Sequence, residues 1–240
     1  MEFRDSMKNL CLLEPVYENN DAAVVFISNQ DKLGETVTTI SSMVEQSSEK
    51  NKWDIIILHS DCDYYDEEMV RYYCGNLKRD VSIRMCRINH EYNVGYIHID
   101  KRYSQEYVTM AFLPYIMAQY RKLVFVGSEN VFNNDLQLTI KKMDEIRPFC
   151  VYQNKDHIAF VLFNIQKFRM TFSALDINKA LPAGDITDSR HFWIKLNKGD
   201  TGEVIFETDI VKFRNDDEKI FYQYSFKTPF FENMVYKRGN

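Results

Sequence analysis

Two short stretches carry residues able to bind a charged ligand. Gly127-Ser128-Glu129-Asn130 follows the apolar run Lys122 to Val126, and Asp61-Cys62-Asp63 follows WDIIILH. A carboxylate at a strand end suits a hard cation such as Mn²⁺ or Mg²⁺, which prefers oxygen ligands and neutralises charge on a departing phosphate. Asp61 and Asp63 have the spacing of such a pair, but Asp63 precedes Asp66-Glu67-Glu68, so capping of the next helix accounts for them better. Ser28, Asn29, Gln30 and Asp31 lie just beyond the run AAVVFIS. They are placed either to read a base edge and ribose hydroxyls or to make an ordinary turn. Ser128 and Asn130 carry the same two readings, and Asp135 reads as a helix N-cap. His59, His90 and His98 lack ligand spacing among themselves and with Cys86, which argues against zinc.

Such residues need a frame. AAVVFIS, a continuous β-branched run, reads as a strand covered on both faces. Gly34 marks a turn, and Val37, Ile40, Met43 and Val44 recur at helical spacing to about Gln46. WDIIILH, a helix over Glu67 to Leu77 and a strand over Val81 to Ile88 repeat the order, which implies crossover units and a parallel sheet. A helix over Gln105 to Tyr120, bent at Pro114, leads to the strand Lys122 to Val126, and His157 to Asn164 is a further strand. Beyond Leu175, the segments HFWIKL, GEVIFETDIVKF and KIFYQYSF read as strands of an antiparallel region. Three stretches result: an extension over 1–20, an α/β core over 21–174 and a β-rich C-terminal region of the same domain over 175–240. The aromatic residues from Phe213 to Phe231 fit hairpin and core packing better than a sugar-stacking shelf.

Composition bounds the function. With 240 residues, 45% of them hydrophobic, the chain can bury one continuous core. A net charge of −5 argues against nonspecific nucleic-acid binding. Five cysteines without Cys-x-x-Cys spacing indicate reduced thiols. The absence of a long apolar run and the charged N-terminus predict a cytoplasmic protein, with peripheral contact at the inner face of the membrane left open.

From Ala22 to Arg169 the chain resembles glycosyltransferase family 8. VVFISNQDKLGETVTTISSMVEQS with WDIIILHSD is similar to that family's opening strand, donor-contacting loop, helix and second strand. FLPYIMAQYRKLVFVGSENVFNNDL resembles its Pro-containing helix, strand, metal-binding turn and following Asp-Leu. HIAFVLFNIQKFR is similar to the segment beside its sugar pocket. The family's Asp-x-Asp falls on Gly127-Ser128-Glu129, its helix arginine on Met110, and its Asn and Gly of the third block on His157 and Ala159. Its late His-x-x-Gly-x-x-Lys-Pro-Trp has a weak echo in YSFKTPFF.

The resemblance implies an α/β GT-A fold, Rossmann-like, with a mixed central sheet, helices on both faces and a small antiparallel C-terminal region. It implies retaining transfer of a hexose from a nucleotide-diphosphate sugar, a UDP-sugar foremost, to a glycan or surface-polysaccharide acceptor. Donor contacts then fall on Ser28, Asn29, Gln30, Asp31, Ser128, Glu129 and His157, with Mn²⁺ or Mg²⁺ on Glu129. Two alternatives stand beside it. In one, a catalytically silent protein acts as a binding or scaffolding subunit in complex with another transferase. In the other, Lys122, Lys227 or Arg169 replaces the cation.

Overall fold

The computed structural model describes residues 13–17, 22–78, 80–88, 93–94, 97–98, 105–143, 147–154, 157–181, 190–197, 202–205, 210–214 and 217–236. Strand β1 (Ala22–Ser28) is buried at every position, as its uninterrupted apolar run requires. A 3-10 turn (Gln30–Lys32) then makes the bend, so Gly34 lies inside helix α1 (Leu33–Glu45) and does not mark the turn itself. Strand β2 (Trp53–His59), helix α2 (Tyr64–Gly75) and strand β3 (Val81–Arg87) complete two crossover units. Parallel pairing of β1 with β2 and of β2 with β3 confirms the crossover reading.

A two-residue pair, β4 (Asn93–Val94) and β5 (Ile97–His98), precedes helix α3 (Gln105–Ile116) and strand β6 (Lys122–Val126). Short β7 (Asn130–Phe132) and helix α4 (Leu136–Lys142) follow, the latter capped by Asp135. Strand β8 (Phe149–Asn154), which the sequence reading omits, pairs with β9 (His157–Asn164). Helices α5 (Ile165–Thr171), α6 (Ala174–Ala180) and α7 (Arg190–Leu196) come next. Strands β10 (Glu203–Ile205) and β11 (Val211–Phe213) and helices α8 (Glu218–Ser225) and α9 (Phe231–Tyr236) close the described chain.

The sheet order is β10-β8-β9-β6-β1-β2-β3, and β9 runs against its neighbours β6 and β8. One face packs Val25, Leu123, Phe125 and Phe163 against α3, α5, α6 and α7. The other packs Val24, Phe26, Ile55 and Val124 against α1, α2 and α4. The two-sided covering is what makes the central strands apolar throughout.

The expected β-rich C-terminal region is corrected at two segments. HFWIKL forms α7, with Phe192, Trp193 and Leu196 buried and Ile194 exposed. KIFYQYSF forms most of α8, burying Phe221 and Ser225 one turn apart. In windows this short an apolar cluster satisfies both periods, and the partner surface decides. GEVIFETDIVKF does supply β10 and β11, and β11 pairs antiparallel with β7.

Candidate functional site

From β1 the chain passes through α1 to β2 on one side, whereas β6 lies on the other side of β1 and is reached through α3. This reversal opens a crevice beyond the carboxyl ends of β1 and β6, where open α/β sheets bind ligands. The register Val25 opposite Phe125 carries both chains to one edge, so the loop from Ser28 faces the same crevice as the turn from Gly127.

In the first loop, Ser28 is buried and its hydroxyl sits 2.9 Å from that of Thr36 on α1. The Asn29 Oδ1 accepts from the Lys32 amide at 2.8 Å. Gln30 is exposed and bridges to α2, its amide N–H donating to Asp61 at 2.9 Å and its side chain to Asp66 at 3.1 Å. Asp31 is exposed on the rim of a pocket of about 380 Å³ shared with Gln30, Gly34, Asp66, Phe230, Asn233 and Met234. Asp63 caps α2 through the Asp66 amide, and Asp66 returns the bond, so the Asp61–Asp63 pair serves bridging and capping.

The second loop is the more constrained. Glu129 has φ 72°, in the left-handed region, which costs a residue with a Cβ about 1 kcal/mol or more. Five hydrogen bonds hold it there. The Gly127 amide donates to the Ala159 carbonyl at 3.1 Å. Asn130 Nδ2 donates to the carbonyls of Gly127 at 2.7 Å and Ala159 at 3.0 Å. The Asn130 amide donates to Thr39 Oγ1 at 3.1 Å, and the Arg214 amide to the Glu129 carbonyl at 2.9 Å. Asn130 is therefore a buried structural residue, and Ser128 and Glu129 remain partly exposed at the edge. A Cβ at Gly127 would stand 2.8 Å from the Ile158 carbonyl oxygen, closer than van der Waals packing permits.

A cation here would take one carboxylate from this turn. Among the described residues no three His, Cys, Asp or Glu side chains gather as a metal-holding group. The donor set thus fits a hard ion shared with ligand phosphates and water, and does not fit one caged by protein. The basic candidates lie elsewhere. Lys122 opens β6 at the opposite end of the strand from the turn. Lys227 Nζ pairs with Glu45, at the far end of α1, at 3.0 Å to both oxygens. Arg169 stacks over Tyr115, which lies in the last turn of α3, with 5.7 Å to the ring centre.

His157 opens β9 beyond the Val126–Phe160 pair, on the crevice side; its side chain lies outside the described residues. Met110, where relatives of the resembled family have arginine, is packed in the core at 1% exposure. Two features escaped the sequence reading. Gln153, at the carboxyl end of β8 opposite Ile158, is 0% exposed, and neither its amide nitrogen nor its oxygen has a partner among the described residues. The run FCVYQN also carries Tyr152 and Asn154, so no local signal singled it out. Arg214 also lies beside the turn, and its guanidinium pairs with Glu35 of α1 at 3.1 Å.

No protein-family model matches the chain, and no curated protein matches it in sequence. Solved structures do match in shape. The bifunctional glycosyltransferase WbbM aligns with TM-score 0.69 at 13% identity over 94% of this chain, which spans 53% of the WbbM chain. The galactosyltransferase LgtC in complex with donor and acceptor sugar analogs aligns with TM-score 0.56 at 12% identity, over 78% of this chain and 73% of that one. Mouse xyloside xylosyltransferase 1 gives 0.58 at 6% identity, over 78% and 85%. The arrangement of strands and crossover helices, together with these neighbours, gives this chain the GT-A fold.

Proposed function

We propose that this protein transfers a hexose from a nucleotide-diphosphate sugar, a UDP-sugar, to a glycan or surface-polysaccharide acceptor. The observation that carries the reading is Glu129, a side chain kept in a strained backbone region at the edge of the β1–β6 crevice. Strain of this kind persists where the surroundings over-determine it and clusters at functional sites. Base and ribose occupy the pocket beside Gln30 and Asp31, whose acceptor oxygens suit the N–H and O–H donors of a uridine. The diphosphate lies along Ser28, Asn29 and Ser128, and Glu129 holds Mn²⁺ or Mg²⁺ jointly with it. A divalent ion supplies charge neutralisation to the departing nucleoside diphosphate. The amide of Gln153, which has no partner among the described residues, and the backbone opening of β9 at His157 border the place where the hexose and its acceptor would meet.

A second reading, a catalytically silent subunit that binds or scaffolds another transferase, is favoured by the closure around Gly127, which leaves no room for a second carboxylate. One titration separates the two. UDP is titrated calorimetrically into the protein with Mn²⁺ and then with chelator, and again into Glu129→Gly, which relieves the backbone strain while removing the carboxylate. Binding that requires Mn²⁺ and weakens roughly tenfold or more in Glu129→Gly is the expected outcome. No binding of UDP or of several nucleotide sugars, with copurification of a second transferase, would replace this reading with the silent one.

A further inference from the structure

The two halves of the crevice are joined by a pair that the donor chemistry does not itself use. Arg214 follows β11 and is 5% exposed. Its main-chain amide holds the Glu129 carbonyl at 2.9 Å, and its guanidinium reaches across to Glu35 in the first turn of α1 at 3.1 Å. The guanidinium also sits over the rings of Phe221, at 5.0 Å, and Tyr222, at 6.0 Å, both on α8. Within α1, Thr39 ties the same region from below, accepting from the Asn130 amide while donating to the Glu35 carbonyl at 3.0 Å. One residue thus holds the Glu129 turn through its main chain and, through its side chain, contacts the helix that carries the first loop and helix α8.

The pair is poorly made as a stabilising device. Arg214 Nε and Glu35 Oε2 are buried and have no hydrogen-bond partner among the described residues. A buried ion pair with unsatisfied atoms is commonly no more stable than apolar residues of the same volume. Fold stability alone therefore gives little reason for these two residues, whereas their position gives a strong one. The first loop hangs from the N-terminus of α1, and the Glu129 turn hangs from β6; their separation is what a nucleoside diphosphate would have to span.

We propose that Arg214 and Glu35 are positioning residues which fix the Glu129 turn relative to the loop after β1, so that one donor engages both. This rests on the UDP-sugar reading above. The ion pair touches no substrate atom; it acts through the Glu129 carbonyl and the first turn of α1. Misplacement of a ligand-holding group by about 1 Å costs up to roughly a hundredfold in function, so loss of the tie need not unfold the protein to be felt.

The decisive variant is Glu35→Met with Arg214→Met, which replaces the pair by apolar side chains, while Arg214→Lys keeps the charge but shortens the reach and removes the planar stack. Thermal melting and Mn²⁺-dependent UDP binding are measured on each and on the wild type. The expected result is a double variant that melts within a few degrees of the wild type yet binds UDP roughly tenfold or more weakly, with reduced dependence on Mn²⁺. Arg214→Lys should show the same separation of stability from affinity. A folded double variant with wild-type UDP affinity and Mn²⁺ dependence overturns the positioning role while leaving the donor reading intact. If the double variant does not fold, Arg214→Lys decides: unchanged binding overturns the proposal, weakened binding at unchanged stability upholds it. A wild type that binds no nucleotide overturns the donor reading, and the positioning role falls with it.

Discussion

At Gly127 and Glu129 two neighbouring positions face opposite constraints. Glu129 keeps a side chain where the backbone favours glycine, and Gly127 lacks one where a Cβ would press on the Ile158 carbonyl at 2.8 Å. Adding a second carboxylate by Gly127→Asp should therefore fail. The expected outcome is a loss of about 1–3 kcal/mol in stability by thermal or urea unfolding, the usual scale of overpacking, with no gain in Mn²⁺ affinity by calorimetry. Unchanged stability with tighter Mn²⁺ binding would show that β9 yields and that the turn accepts a carboxylate pair. The turn that carries Glu129 was legible in the sequence because it follows a short apolar strand, whereas the cation role of Glu129 came from the resemblance alone. Gln153, Glu35 and Arg214 were not, since each depends on what faces it across the fold, and no local pattern encodes an unpartnered amide or a pairing 179 residues apart.

Among the elements, β2 and α2 show how packing sets a titration. His59 closes β2 with its side chain 0% exposed, under α2, its Nε2 3.3 Å from Glu67 Oε1. Burial lowers its pKa below the ordinary 6.5; Arg87 acts in the same sense, and Glu67, Asp61 and Asp66 oppose it. Below 6.5 the unfolded chain takes up a proton that the folded chain still refuses, so stability is full above that value and falls as pH drops towards the folded pKa. Urea midpoints should decline from about pH 7 to about pH 5, and His59→Leu should flatten that decline. An equal slope in the variant would assign the pH dependence to carboxylates elsewhere. The same two elements were readable because the runs are long: seven buried residues in β2, and a cap by Asp63 ahead of α2. For α7 and α8 the reading as strands failed because six to eight residues hold too few repeats to separate a period of two from one of 3.6. Docking of Phe192 and Trp193 against the sheet, and of Phe221 beside Val131, selects the helix.

Across the whole molecule, both cores share one sheet, so they should melt together. The chain has two tryptophans, and each reports one face. Trp53 lies in the core under α1 and α2, donating to Ser47 Oγ at 2.9 Å, and Trp193 lies in the opposite core, 5.0 Å from the Phe149 ring. In Trp53→Phe and in Trp193→Phe, fluorescence from the remaining tryptophan should track far-UV circular dichroism through a single denaturant transition. Separate transitions would divide the chain into two folding units. No helix among the described residues is long and apolar enough to cross a membrane. The cysteines described, Cys62, Cys74, Cys86 and Cys150, form no disulfide with one another, and Cys11 lies outside the described residues.

The two crossover units from β1 to β3, the helix leading to β6, the strand β9 and the parallel pairing of the first three strands followed from the sequence, because buried runs and caps are local signals. The tertiary structure alone decided the rest. It set which strand borders β1 to open the crevice, drew the C-terminal helices over α1 and brought Arg214 to Glu35. It also left Gln153 buried, with no side-chain partner among the described residues. These depend on contacts between residues far apart in the chain, and the energy that selects them is shared among surfaces that no single segment contains.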